Sequence, residues 1–137
     1  MRPRTALAAI ACALVAGCGG DMRADELNRS IAQIESAAGD GELTALGVAE
    51  DRTKSTFVRA HAREISEQVD HEAEKLSDAS ATGDVAVVKR KAVELADELS
   101  SALGQLQLAP GDEDSARRTR ADLRALADRA EQLRAEL

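Results

Sequence analysis

From Leu27 onward, apolar residues recur at alternating three- and four-residue steps almost to the end of the chain, interrupted by a few Gly- and Pro-containing breaks. This repeat excludes strands, which would alternate at every second residue, and it puts one apolar stripe on each of several helices. The first stretch, from about Met22 to Ala38, carries Ala24, Leu27, Ile31, Ile34 and Ala38. A second, from about Thr53 to Ala79, carries Val58, Ala62, Ile65, Val69 and Leu76, with Glu72 breaking the pattern and Ala73 expected to take over part of its role. The third, from about Asp84 to Leu108, carries Val85, Val88, Ala92, Leu95, Leu99, Ala102 and Leu106. The fourth starts near Glu113 and carries Ala116, Thr119, Leu123, Leu126, Ala130, Leu133 and Leu137.

Punctuation between the stretches sets the topology. Gly39-Asp40-Gly41 is expected to end the first helix, since glycine readily takes the left-handed conformation of a helix C-terminus. Ser80 to Gly83 and Ala109-Pro110-Gly111 are short turns, which force antiparallel neighbours. Asp21 and Asp112 are candidate N-caps. The sequence therefore predicts an all-α, antiparallel up-down four-helix bundle, with a shorter first helix followed by a long loop. In that loop Leu43, Leu46 and Val48 are expected to fold over the open end of the bundle. Extended coiled coils assembling between chains would show the same heptads, but the regular Gly/Pro breaks favour the folded-back form.

Composition narrows the partners. The formal charge is −7 and the only aromatic residue is Phe57. Acidity argues against nucleic acid, whose phosphates need clustered Lys and Arg, and no aromatic platform exists for stacking bases. "KRK" at Lys89 to Lys91 spreads around a helix without making a patch. The arginines near Arg117, Arg118, Arg120 and Arg124 are interleaved with acids, and Glu113–Arg117 and Asp114–Arg118 are spaced as helix-supporting pairs.

The N-terminus follows a different pattern. Arg2 and Arg4 precede an uncharged run from Thr5 to Ala16, the layout of a secretory signal peptide. That run is too short for the roughly 20 residues a membrane span needs. Val15-Ala16-Gly17-Cys18 resembles the lipobox of bacterial lipoproteins: an aliphatic residue, a small residue, Gly or Ala, then Cys. Cys12 fits less well, because Ala9-Ile10-Ala11 lacks the aliphatic first position. The resemblance implies lipid attachment to Cys18 and cleavage just before it. It divides the chain into a signal peptide (1–17), a lipidated tether (18–21) and a helical domain (22–137). Loss of Arg2 and Arg4 would take the net charge from −7 to −9. The implied setting is the bacterial cell envelope, extracytoplasmic, with the membrane reached through lipid on Cys18. The mature domain would then hold no free thiol.

Little else points to chemistry. No nucleophile-and-base set can be assembled around His61 and His71, and no glycine-rich phosphate loop or haem-attachment motif is present. His61 is expected on the flank of the apolar stripe beside Phe57. Glu64, Glu67 and His71 form a ladder along one helix that offers carboxylate and imidazole ligands to a divalent metal. A solvated helix face explains the same residues, so no catalytic, cofactor or metal residues are assigned. The expectation is a non-enzymatic, membrane-anchored lipoprotein whose bundle serves protein–protein interaction or envelope scaffolding, with self-association possible. The alternative is an extracytoplasmic metal- or ligand-binding carrier or sensor.

Overall fold

A computed structural model describes residues 20–137. Cys18 and the lipobox-like residues before it lie outside the described residues. Four helices follow one another: α1 (Ala24–Ala49), α2 (Ser55–Asp78), α3 (Gly83–Leu108) and α4 (Glu113–Ala135). They form an antiparallel four-helix bundle in which α1 packs chiefly on α4 and α2 chiefly on α3. The apolar stripes meet in one core, and its residues are largely those the periodicity picks out. All the expected stripe residues of α2 are buried, as are those of α4 apart from Leu137. On α3 the core also takes Ala96 and Leu103, while Val85 and Ala102 are only partly buried.

The first helix departs from expectation. It does not stop at Gly39-Asp40-Gly41 but runs through to Ala49, so its 26 residues match the 26 of α3. The reason is packing. Gly41 is buried where α1 passes closest to its neighbours, and a Cβ built there would lie 2.9 Å from Leu103 Cδ2 and 3.2 Å from Leu123 Cδ1. Thr44 Oγ1 donates to the Asp40 carbonyl at 2.8 Å, keeping the following turn in register. Val48 is buried as part of this longer helix, whereas Leu43 points outward, so the expected lid over the end of the bundle does not form.

The actual stop lies ten residues later. Asp51 adopts φ +49°, with Asp51 N–H donating to the Val48 carbonyl and Arg52 N–H to the Gly47 carbonyl. This pair of bonds is the Schellman arrangement, here with aspartate in the left-handed position that glycine usually takes. The start of α1 also shifts. Asp21 does not cap it; Met22 N–H instead donates to the Ser80 carbonyl at 2.7 Å. That bond pins the entering chain to the α2–α3 turn, and the helix begins only after Arg23, whose N–H donates to the Glu26 carboxylate. At α4 the expected cap is present: Ser115 N–H donates to Asp112 Oδ1 at 2.8 Å.

The α4 arginines do more than support their own helix. Arg117 pairs with Glu113 and with Asp114, which therefore does not take Arg118 as its partner. Arg120 reaches Glu42 on α1, and Arg134 reaches Asn28 and Glu35 on α1. Lys89, from the short basic run, donates to the carbonyls of Leu76 and Ala79 at 2.9 Å each and so closes the C-terminus of α2.

Two glycines on the same helix should respond in opposite directions. Nothing lies within 4 Å of a Cβ at Gly39, so Gly39→Ala should stabilise the fold by about 0.5–1 kcal/mol through helix propensity. Gly41→Leu should cost about 1–3 kcal/mol or more, because the site is already filled. Urea unfolding followed by circular dichroism checks both. Ser30 Oγ is buried without a hydrogen-bond partner, so Ser30→Ala should raise stability by about 1 kcal/mol in the same assay. An unchanged or lower midpoint would mean the hydroxyl is satisfied.

Candidate functional site: the groove between α1 and α2

The ladder Glu64–Glu67–His71 does not act as one unit in the folded chain. Glu67 accepts from Arg63 Nε at 2.9 Å, and Glu64 lies 3.8 Å from His61 Nδ1. Among the described residues, no group of three or more His, Cys, Asp or Glu side chains is placed to hold a metal ion. His61 stacks on Phe57 with ring centroids 5.3 Å apart, on the flank of the stripe where its spacing puts it.

His71 belongs to a different grouping. With Gln68, Val69 and Glu72 it forms the α2 wall of a groove whose α1 wall is Gln33, Ile34, Ser36, Ala37 and Asp40. The volume is about 280 Å³. The floor is apolar, from Ile34, Ala37 and Val69, and the rim is polar.

Glu72 is the unusual member. It occupies the stripe position that Ala73 was expected to share, and it is only 9 % exposed; Ala73 packs against the core beside it. Its Oε2 accepts from Lys75 Nζ at 3.1 Å. A carboxylate so placed is costly to bury unless a cation accompanies it, and Lys75 on the next turn supplies one.

The reading of separate residues missed Gln33, Ser36 and Asp40 as wall residues. Gln33 and Ser36 share a face within the shorter helix as well, but Asp40 joins them only because α1 continues past Gly39. The signal was available in the helical phase, since Gln33, Ser36 and Asp40 follow the same three- and four-residue steps as the core, displaced to one side.

The other seams are fastened by side chains. Across α3–α4, both nitrogens of the Arg129 guanidinium donate to the Glu98 carboxylate, and Lys91 Nζ lies 2.7 Å from Glu136 Oε2. The Arg129 hydrogen bonds, reinforced by its charge and partly opposed by desolvation, hold the Glu98 carboxyl below its ordinary value. Arg129 is raised by the same hydrogen bonds.

No protein-family model matches this chain, and no curated protein or solved structure does either. No described helix is long and apolar enough to cross a membrane.

A lowered folded-state value for Glu98 means that its contribution is complete above the unfolded carboxylate range and is lost as pH falls through the folded value. Both side chains are half exposed, so solvent screening limits the contribution to a fraction of about 1 kcal/mol. Glu98→Gln should therefore flatten the fall in stability from about pH 5 to about pH 3 relative to the parent chain. Denaturant midpoints across that range measure it, and parallel curves would show the pair to be energetically silent.

Proposed function

We propose that this chain is a bacterial lipoprotein, anchored through lipid on Cys18, whose helical bundle works by binding another protein of the cell envelope and not by catalysis. The observation that carries the anchor is the sequence Val15-Ala16-Gly17-Cys18 at the end of an uncharged run behind Arg2 and Arg4. Attached acyl chains contribute roughly 0.8 kcal/mol per buried CH₂, and two or more together hold a protein firmly.

The fold supports this reading through the path of the entering chain. Met22 is fixed against Ser80 in the α2–α3 turn, and α4 ends on the same side, with Arg134 bonded to Asn28 near the start of α1. Three residues separate Cys18 from Met22, so four Cα-to-Cα steps reach at most about 14 Å. With lipid on Cys18, the end bearing the α2–α3 turn faces the bilayer. The α1–α2 and α3–α4 turns point away from it. The segment from Asp21 to Arg52 carries eight acids against three arginines, so attraction to anionic headgroups adds nothing to the anchor.

Cys18→Ala should abolish incorporation of labelled fatty acid and leave the uncleaved precursor. Metabolic labelling and intact-mass measurement read both, and a variant that is still processed and acylated would refute the anchor. In-cell crosslinking of the parent chain should recover a specific envelope protein. Recovery of none, from membranes in which the chain is abundant, would remove the interaction reading.

A further inference from the structure

Three of the four lateral seams of the bundle are fastened by side chains. Arg120–Glu42 and Arg134–Glu35 join α4 to α1; Ser100–Asp70 and Arg59 to the Gln107 carbonyl join α3 to α2; Arg129–Glu98 and Lys91–Glu136 join α4 to α3. Across α1–α2, among the described residues, no side-chain hydrogen bond or ion pair is made. That seam instead holds the groove.

We propose that the α1–α2 groove is the docking site for a helix of a partner protein that presents Lys or Arg beside an apolar stripe. This rests on the reading of the bundle as an interaction module and names the kind of partner it takes. Charge supplies the first argument. Asp40 stands on the rim with its carboxylate free of any cation, and Glu72 below it has one cationic partner, on Oε2 only. The whole chain is acidic, so a cationic segment is drawn towards it and an acidic one repelled.

Exposed apolar side chains supply the second. Leu43 is 67 % exposed and lies one turn beyond Asp40 on the same face of α1. Phe57 is 56 % exposed, and Phe57, His61 and Gln68 share one stripe of α2 on the flank facing α1. The groove thus gives cationic heads acceptors at its middle and gives an apolar stripe a landing towards the α1–α2 turn. A Lys or Arg stem fits such a place, because its methylenes lie along the groove between the walls of α1 and α2 while its head reaches the carboxylates. A helix laid into a groove between two others is an established mode of recognition. A second copy of this chain fits less well, since facing grooves would bring Asp40 and Glu72 of both copies together.

The test uses the full chain in nanodiscs of zwitterionic phospholipid, with empty nanodiscs as baseline. The probe is a fluorescent helical peptide of Leu at heptad spacing with Lys elsewhere, read by anisotropy. Binding should weaken at least tenfold in Asp40→Lys and in Leu43→Ser, and several-fold in the milder Asp40→Asn. Asp97→Lys, the same charge change on exposed α3, should weaken it less than twofold. A peptide with Glu in place of Lys should not bind. Equal weakening by Asp97→Lys, equal binding of the Glu peptide, or no binding of the Lys peptide overturns the proposal. So does a chain dimer that Leu43→Ser dissolves, which would make a second copy the occupant. If the peptide fails while in-cell crosslinking still recovers a partner, only this groove is lost and the interaction reading stands.

Discussion

The close approach of α1 to α3 and α4 at Gly41 is the contact on which the rest of the bundle depends. A core without aromatic rings has few large side chains to bury, and the chain's single phenylalanine, Phe57, lies outside. Burial must then come from short distances between helices. Ala38, Ala45, Ala62, Ala92, Ala96, Ala116 and Ala130 are all buried and let the backbones come near, with Leu27, Leu95, Leu99, Leu103 and Leu123 filling between them. Gly41 carries this furthest, because Leu103 and Leu123 occupy the space a side chain would need. At roughly 25 cal/mol for each Å² of apolar surface, alanines contribute little individually. Stability is consequently spread over many small contacts, and the polar bonds at the seams take on a larger relative share.

The same constraint explains why α1 is long. A helix ending at Ala38 would leave Ala45 and Val48 without a route into the core and would uncover the far halves of α3 and α4. Continuing through three glycines, Gly39, Gly41 and Gly47, costs helix propensity, about 1 kcal/mol each, but it extends the apolar stripe over the full height of the bundle. Four helices of 26, 24, 26 and 23 residues then match end to end. Arg120 meets Glu42 on α1 only because the helix continues that far.

The sequence was legible wherever periodicity alone decides. Stripe residues such as Val58, Ile65, Leu95 and Leu123 are buried as their spacing requires, and Asp112 caps α4 as a short acceptor before a helix should. It was misleading where a local preference competed with a distant contact. Gly39-Asp40-Gly41 is a stop signal by local conformation, yet the stripe that α1 lays on α4 and α3 overrides it. Asp21 has the chemistry of a cap, yet the bond from Met22 to Ser80 moves the helix start past it. Lys89 and Arg120 read as surface charge because their partners, the carbonyls ending α2 and Glu42 of α1, are remote in sequence. The groove was hidden for a related reason: Asp40 joins its wall only because α1 continues, and Glu72 was assigned away from a stripe position that it keeps with the help of Lys75.

If the proposed anchor and the proposed docking groove both hold, together they restrict how a partner can approach. Ser36 lies twelve residues into α1 from Ala24, about 18 Å along the helix axis at 1.5 Å per residue. With lipid on Cys18 and a tether of only a few residues, the groove stands above the headgroups and not among them, and its exposed Leu43 and Phe57 lie further out still. A partner helix running along α1 and α2 would therefore stand roughly parallel to the bundle axis. Its cationic residues would meet Asp40 and Glu72 nearer the membrane, and its apolar ones would meet Phe57 at the outer end. A helix embedded in the bilayer cannot present itself in that way, because its polar stretch would have to begin well above the lipid surface. Under that proposal the segment that fits is one carried by an extracytoplasmic domain, or by the membrane-distal part of a second anchored protein, and a short tether would set the height at which it must offer its basic side chains.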